Sequence, residues 1–368
     1  VIMSKLLNLG DHSDSSSSSD LIEFRKLKSK ISSISRMESK PSKCFYCAKE
    51  TTQFCNSHSV PASFLRNISV DGELYKNNEL IELPFIDSEK GVNNSGTFRV
   101  ICRDCDSAIF SEYENKDNYI NGPTDKMIAQ IAMKNHLRNI DKRLFEVSLY
   151  DKMKDGIPGF DGASTGSFME KYIIETNEIN RLDLNEYIRS FKRAKRVIDK
   201  GYKDEYYLFY YEKLDYTVPM AFQGELSLHF DLDDNIINNV YNKSKKYKLQ
   251  SLHVSVFPLE SQSIIMLFID KNDKRYRSFY KQFRKLSKTE RLAAINFIIF
   301  SLSEDVYISK NIHESYIKDE SIKSLAGLTS IQFSDSDVVN SEVLKKSFSF
   351  SNMNSIPNYL TNDSCSFE

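Results

Sequence analysis

The sequence has almost no net charge and no long hydrophobic run. Its 50 Lys and Arg residues balance 51 Asp and Glu residues, so the formal net charge is −1. A nucleic-acid-binding surface would therefore have to come from local patches. No run approaches the roughly 18 to 20 apolar residues of a membrane span, and the N-terminus lacks the apolar core of a signal peptide. We therefore expect a cytoplasmic globular protein, and its 368 residues suffice for two packed units.

Cysteines are also few, but they are concentrated in one region. Five of the six lie between positions 44 and 105. In a reducing cytoplasm, paired cysteines indicate a metal site before a disulfide. The stretches "CFYC" and "CRDC" both have the spacing that lets two thiolates reach one tetrahedral zinc ion at about 2.3 Å. The pairs together predict one structural zinc ion with the ligands Cys44, Cys47, Cys102 and Cys105.

Two alternatives for the cysteines stay open. One is a reactive dithiol, although no thioredoxin-like βαβ pattern surrounds either pair. The other concerns Cys55, a fifth thiol in the same region. It is expected to be a small buried apolar residue, with replacement of one zinc ligand as the alternative.

The second cysteine pair is flanked by a strand pattern and a helix pattern. The stretches "GELYKNNELIELPF" and "GTFRVIC" suggest short strands before it. After it, Asp106, Phe110 and Glu114 recur at a spacing of four residues, which predicts a helix that begins at the metal. Strand, cysteine pair and helix should therefore converge on one point.

This order of motifs resembles the HNH (ββα-metal) nucleases that carry an added structural zinc held by four cysteines. In that family a Cys-x-x-Cys pair precedes an acidic residue, His, two apolar residues and Pro. A second pair then follows, with Asn at the start of a helix. The matching stretches here are "CFYC", "SHSVP" and "CRDCD", and the resemblance covers about 80 residues.

The resemblance assigns roles to particular residues. His58 would be the general base that activates water, and Asp106 would replace the Asn that binds a catalytic divalent cation such as Mg²⁺. Asn93 or Asn94 would supply the middle Asn of the motif. Ser57 departs from the family, because it stands where a metal-binding Asp or Glu is usual.

A carboxylate further along the predicted helix could compensate for Ser57. Glu112 and Glu114 are the candidates. The resemblance then implies a metal-dependent nuclease that cleaves DNA or RNA, and by analogy a role in anti-phage defence. The alternative is a non-catalytic, zinc-stapled module that binds nucleic acid or protein, in which His58 only supports the fold.

The composition divides the chain into four segments. Residues 1–40 are Ser-rich and polar, which predicts a flexible leader. Residues 41–122 form the zinc module, and residues 123–333 form an α+β domain of unknown role that could bind a protein partner or a ligand. Residues 334–368 are a Ser- and Asn-rich tail, either loose or packed as an extended arm. The fold class predicted for the whole chain is α+β.

The large domain shows helix patterns at residues 126–150 and 182–200 and strand patterns from about residue 206 to 269. Residues 155–166, rich in Gly and Pro, predict a loop or hinge. His229 and His253 are interpreted as strand residues and His136 as a partly buried helix residue, because no spaced cluster of acidic or Cys partners accompanies them.

Basic residues recur on two predicted helices of this domain. Lys134, Arg138 and Lys142 share one helix face, which more often means a solvated face than a phosphate contact. A second group is interleaved with aromatic residues and could grip nucleic acid, although an amphipathic helix with a solvated basic side is favoured. That group is a weak nucleic-acid-binding candidate and consists of Lys274, Arg275, Arg277 and Lys281.

Overall fold

The computed structural model describes residues 18–76, 91–154, 167–201, 203–240, 242, 244, 246–303, 305–327 and 341–365. It is a mixture of helices and sheet, so the predicted α+β class is confirmed. The N-terminal part contains α1 (Ser18–Glu38), β1 (Ser57–His58), α2 (Ala62–Arg66), β2 (Tyr75–Lys76), β3 (Thr97–Phe98) and α3 (Arg103–Glu114). Short 3-10 helices at Val92–Asn94 and Lys116–Tyr119 lie before β3 and after α3.

Two long helices follow, α4 (Asp125–Lys154) and α5 (Ser167–Lys200). The sheet region contains β4 (Tyr206–Leu214), β5 (Met220–Leu226), β6 (Leu252–Pro258) and β7 (Ser263–Asp270). The C-terminal part contains a 3-10 helix (Lys274–Tyr276), α6 (Arg277–Phe283), α7 (Lys288–Leu302), β8 (Tyr307–Ile308), α8 (Glu314–Ile317), α9 (Glu320–Gly327) and α10 (Ser341–Phe348). Two further 3-10 helices, Phe350–Asn352 and Asn362–Cys365, end the described chain.

The main sheet has six strands in the order β2-β8-β5-β6-β7-β4, and all neighbouring pairs are antiparallel. Strand β7 is buried on both faces, which explains its unbroken apolar sequence. Ile264, Met266 and Phe268 pack with the zinc module and α4. Ile265 and Leu267, on the opposite face, pack with α6, α7 and the C-terminal segment.

The zinc module and the large domain share one hydrophobic core. Strand β2 pairs with β8, so a strand from the module forms one edge of the main sheet. Phe64 of α2 packs against Phe257 of β6, with ring centroids 5.1 Å apart. No break in the core therefore coincides with the boundary predicted at residue 122.

Helices α4 and α5 pack side by side as an antiparallel pair. Asp151, near the end of α4, accepts hydrogen bonds from Asn177 and Arg181 in the first half of α5. Arg143, earlier in α4, pairs with Asp183 at 3.0 Å. Helix α5 begins well before the predicted residue 182, whereas the predicted loop at residues 155–166 lies outside the described residues.

Three sequence predictions need correction here. Within the predicted flexible leader, residues 18–38 form helix α1, which packs against α4, and its Glu38 pairs with Lys152 at 2.9 Å. His229 lies beyond the end of β5, in a turn closed by Phe230 and Ile236, and is not a strand residue. The row Lys134, Arg138 and Lys142 is not a solvated face, because Lys134 is buried and Arg138 is partly buried, and both form ion pairs with carboxylates.

The described part of the C-terminal tail, residues 341–365, is packed. Helix α10 leads into a segment whose Phe350 and Tyr359 are buried in the main core. Tyr359 donates a hydrogen bond to the carbonyl of Tyr316 at 2.7 Å. None of the helices within the described residues is long and apolar enough to cross a membrane.

Candidate functional site

The two cysteine pairs meet at the start of helix α3. The first pair lies in a tight turn in which Cys44 donates its N–H to the carbonyl of Lys49, and the Ala48 N–H donates to Cys44 at 2.8 Å. Ala48 has a φ of +59°, which closes this turn. Cys102 is the N-cap of α3 and Cys105 lies in its first turn. The Cys102 N–H donates to the Cys44 Sγ at 3.3 Å, which joins the pairs directly.

The four sulfur atoms lie within 4.8 Å of one another, and those of Cys47 and Cys102 are 4.0 Å apart. A tetrahedron with zinc–sulfur bonds of about 2.3 Å places the sulfurs about 3.8 Å apart. The cluster is therefore compatible with a zinc ion, as the Cys-x-x-Cys spacing predicts. Hydrogen bonding to the backbone at Lys49 lowers the pKa of Cys47 to about 7, whereas burial raises the pKa of Cys44.

Cys55 lies beside this cluster, but its sulfur is not one of the four that converge. Its thiol donates to the Asp106 carboxylate at 3.4 Å. Burial and the neighbouring carboxylate raise the pKa of Cys55 to about 11, so the thiol stays protonated. The predicted small buried residue is thus only half-buried, and it acts as a hydrogen-bond donor.

His58 lies on a two-stranded antiparallel ribbon formed by β1 and β3. Strand β3 directly precedes helix α3 in the chain. The ribbon is closed by a bond from the Ser59 N–H to the Gly96 carbonyl at 3.0 Å. Gly96 has a φ of +64°, and a Cβ there would collide with the side chains of Tyr307 and Ser59. Only glycine fits this turn, so Gly96 fixes the position of β1 against the main sheet.

The hydrogen bonding of His58 determines which nitrogen of its ring is basic. The Nε2 atom is 3.0 Å from the Val92 carbonyl oxygen. A carbonyl only accepts, so Nε2 carries the proton and the lone pair of the neutral ring is on Nδ1. No described residue hydrogen-bonds to Nδ1. Burial, with the charge of Lys134, lowers the pKa of His58 below its ordinary value, which keeps the imidazole neutral at pH 7.

Ser57 and Asp106 contact each other, and both are engaged in hydrogen bonds. The Ser57 hydroxyl donates to Oδ1 of Asp106 at 2.5 Å. Lys134 of α4 reaches the same oxygen at 3.4 Å and Oε1 of Glu114 at 2.8 Å. The Lys134 side chain is 1% exposed, and its ammonium lies 4.0 Å from the centroid of the Phe110 ring. The buried ammonium of Lys134 thus lies between the carboxylates of Asp106 and Glu114.

A catalytic divalent cation does not fit this arrangement. Hard cations prefer several carboxylate or carbonyl oxygens, and here a hydroxyl and an ammonium surround Asp106. Across the described part of the chain, the four cysteines are the one group of at least three His, Cys, Asp or Glu side chains close enough to hold an ion. The donor set therefore supports Asp106 as an ion-pair and hydrogen-bond partner, not as a metal ligand.

The remaining residues suggested by the resemblance lie around this cluster. The Asn93 carbonyl accepts a hydrogen bond from Asn56 at 3.0 Å, while the Asn93 residue is exposed. Asn94 belongs to the same 3-10 helix. Glu112 pairs with Lys126 at 2.5 Å and does not reach Asp106, so Glu114 is the acidic residue that the structure brings to the site.

Three exposed arginines that interact with residues of this region were missed by the sequence reasoning. Arg66 at the end of α2 acts electrostatically on His58, and Arg103 at the start of α3 acts on Cys55. Arg99 donates to the side chain of Asn56 at 3.2 Å. All three residues are exposed. They are scattered along the sequence, and no motif gathers them, so only the fold shows their interactions with His58, Asn56 and Cys55.

The basic segment at residues 274–281 is an amphipathic helix with a solvated basic side, the favoured interpretation. Lys274, Arg277 and Lys281 are exposed, while the intervening Tyr276 is fully buried and cannot stack on a base. Arg275 is committed within the protein. It donates to Asn238 and to the Lys248 carbonyl and lies over the Tyr247 ring.

Two further histidines of the described chain lie apart from this site. His136 and His253 belong to a separate buried group around Glu225, and the distance from the His136 Nδ1 to Glu225 is 2.7 Å. No family model, no curated protein and no solved structure matches the chain. The resemblance to HNH nucleases therefore depends on the motifs and on the placement of the residues described above.

Proposed function

We propose that this chain is an HNH-like hydrolase of phosphodiester bonds in nucleic acid, with His58 as its general base. One observation carries the proposal. A neutral imidazole is held by the Val92 carbonyl through Nε2, no described residue bonds to its Nδ1, and the exposed Arg66 lies near enough to act on its pKa. A base with a fixed tautomer and a nearby positive charge suits the hydrolysis of an anionic ester.

The proposed chemistry uses water as the nucleophile. Nδ1 of His58 takes a proton from water as the water oxygen bonds to phosphorus. The ester bond to the departing sugar oxygen breaks, and that oxygen takes a proton from solvent. Arg66, Arg99 and Arg103 would bind the phosphate oxygens and stabilise their increased charge in the transition state.

Zinc has a structural role in this proposal. The four cysteines would hold the ion and anchor the start of α3, where Asp106 and Arg103 lie. The second divalent cation expected from the resemblance is not used, because Lys134 already lies beside Asp106. Asp106, paired with Lys134, then holds the ribbon against α3 by accepting the hydrogen bond of the Ser57 hydroxyl. Ser57 is the residue before His58 in β1.

The test is cleavage of plasmid DNA and of single-stranded RNA by zinc-loaded protein, with and without added Mg²⁺ or Mn²⁺. His58→Gln retains an N–H group for the Val92 carbonyl but removes the base. We expect it to keep its zinc content and melting temperature and to lower cleavage by roughly 10²- to 10⁴-fold. His313→Gln, a change at an exposed helix N-cap, is the matched control. Unchanged cleavage by folded His58→Gln protein would overturn the proposal.

Ser57→Asp tests the role of the cation separately. This change restores the carboxylate that the family uses, next to Asp106. If the site has no place for a cation, added Mn²⁺ should not raise the activity of the variant above that of the wild type. A strong Mn²⁺-dependent gain would instead show that the family's metal site is retained in weakened form.

A second candidate is a non-catalytic, zinc-stapled module that binds nucleic acid or protein. The observation that favours it is the engagement of both Asp106 oxygens, by Ser57 and Lys134 at Oδ1 and by Cys55 at Oδ2. Nucleic-acid binding that depends on Arg66, Arg99 and Arg103, with no cleavage under any of the conditions above, would identify this function.

A further inference from the structure

A cavity of about 240 Å³ lies outside the zinc and His58 clusters. Helix α5, the ends of β5, β6 and β7, and the segment before β6 form its walls. Its volume is below the roughly 300 Å³ at which pockets for drug-sized ligands begin. A ligand that fills it would therefore be a small metabolite.

Carboxylates dominate the interior of this cavity. Three of the five are neutralised within the protein, since Glu225 pairs with His136, Asp270 with Arg193 and Asp183 with Arg143. The other two are Glu186 and Asp273, and neither has an ion-pair partner among the described residues. Burial and Asp183 raise the pKa of Glu186 against the opposing charges of Lys248 and Arg189, and burial with Glu225 raises that of Asp273 to about 6. The interior therefore contains two carboxylates that no ion pair neutralises.

A buried histidine also directs an unused donor at the cavity. His253 is 2% exposed and lines the cavity wall. Its Nδ1 is 3.1 Å from Asn135 Nδ2, which also donates to the Gly224 carbonyl, while the Asn135 Oδ1 accepts from Gln223. The Asn135 amide is therefore oriented as a donor, so Nδ1 accepts and Nε2 carries the proton. No described residue accepts from Nε2, which leaves this N–H donor available to a ligand oxygen.

The mouth of the cavity has the opposite charge. Arg189 of α5 and Lys248, in the segment before β6, both line the cavity and are exposed. Neither side chain forms an ion pair with a described residue. The cavity is thus lined by two carboxylates without an ion-pair partner, by the N–H donor of His253 and, at its entrance, by two exposed cations.

We propose that this cavity binds a small zwitterion of amino-acid size, with its ammonium group at Glu186 and Asp273 and its anionic group at Arg189 and Lys248. The Nε2–H of His253 donates to an oxygen of the same ligand. This charge order selects against simple anions, which the inner carboxylates repel, and against plain diamines, whose second ammonium would meet the cations at the mouth. The proposal does not depend on the hydrolase activity.

Isothermal titration calorimetry at pH 7 tests it with glycine, L-serine, L-glutamate and L-lysine, each alone. Putrescine and acetate serve as probes with only one kind of charge. We expect saturable binding of at least one amino acid and weaker or no binding of putrescine and acetate. Glu186→Gln and Asp273→Asn should each weaken that binding roughly tenfold to hundredfold, the effect of one lost charge-assisted hydrogen bond.

Glu178→Gln is the matched control, since Glu178 is an exposed carboxylate on the same helix and outside the cavity. It should leave the affinity unchanged. No saturable binding of any amino acid, or equal losses in Glu178→Gln and Glu186→Gln, would overturn the proposal. If Glu186→Gln does not fold, Lys248→Met at the exposed mouth decides: a drop of at least about threefold supports the proposal, and unchanged affinity overturns it.

Discussion

Two clusters along helix α3 satisfy their buried polar groups in different ways. At the start of the helix, four cysteine sulfurs converge, and the group contains no Lys, Arg or His side chain. The second cluster consists of Asp106, which follows Cys105, and Glu114 at the end of the helix. Both carboxylates contact the ammonium of Lys134. The first cluster needs a metal ion to become a bonded unit, whereas the second contains its own counter-charge. We therefore expect the cysteine cluster to bind a metal ion and the carboxylate cluster to bind none.

The largest expected effect comes from breaking the first cluster. Cys44→Ser or Cys105→Ser should abolish folding, because zinc binding to a four-cysteine site contributes on the order of 10 kcal/mol of folding free energy. Soluble yield, circular dichroism and zinc content by elemental analysis measure this. Cys55→Ser is the control and should retain one zinc per chain. Retention of zinc and fold by Cys105→Ser would show that the sulfur cluster is not the staple.

A smaller loss is expected from breaking the second cluster. Lys134→Met keeps the length of the side chain but leaves Asp106 and Glu114 without their partner, which should lower the free energy of unfolding by about 3 kcal/mol. Urea denaturation measures it. Lys126→Met removes the exposed partner of Glu112 and should cost less than about 1 kcal/mol. Equal losses in the two variants would contradict the role given to Lys134.

Acid should weaken the sheet domain through its buried histidines. Burial lowers the pKa of His229 to about 4 and that of His253 to about 3, from ordinary values near 6.5. The unfolded chain binds these protons first, so the stabilisation is complete above pH 6.5 and is lost as the pH falls towards 4 and 3. For His229 the loss is at most about 3 kcal/mol.

Urea denaturation between pH 7 and pH 4 measures this acid effect. His229→Phe should flatten the pH dependence if it folds. An unchanged slope in a folded variant would assign the acid sensitivity to other groups, among them Glu225, whose carboxylate has its pKa lowered to about 2, chiefly by His136 despite burial.

The smallest effect is expected on the outer face of α6 and the turn before it. Substituting Lys274, Arg277 and Lys281 by Gln should change stability by less than about 0.5 kcal/mol, since all three are exposed. It should also alter nucleic-acid affinity less than substitution of Arg66, Arg99 and Arg103. Binding titrations at several salt concentrations compare the two sets. A steeper loss from the α6 set would move the nucleic-acid surface away from His58.

The sequence was sufficient where spacing alone determines the chemistry. The Cys-x-x-Cys pairs predicted the sulfur cluster. Periodicity also indicated helix α4. It could not show that Lys134 on the polar side of that helix is buried, because α3 supplies the carboxylates that make burial tolerable, and their approach is a tertiary contact.

Local composition failed where tertiary packing overrode it. The Ser-rich residues before the zinc module looked too polar to fold, yet residues 18–38 form α1, which packs on α4 through pairs such as Arg36 over Phe145. His229 followed an alternating pattern but lies in a turn beyond β5. The short strand β2 could not be foreseen as an edge of the main sheet, because its partner β8 lies over 200 residues away.

Native mass spectrometry of the folded chain with excess Mn²⁺ tests the contrast between the two clusters most directly. We expect one bound zinc per chain and no manganese, because the four cysteines accept an ion and the Lys134 ammonium already lies beside Asp106. A folded chain without zinc would contradict the first half of this account. A chain with one zinc and one manganese, the latter lost on Asp106→Asn, would contradict the second.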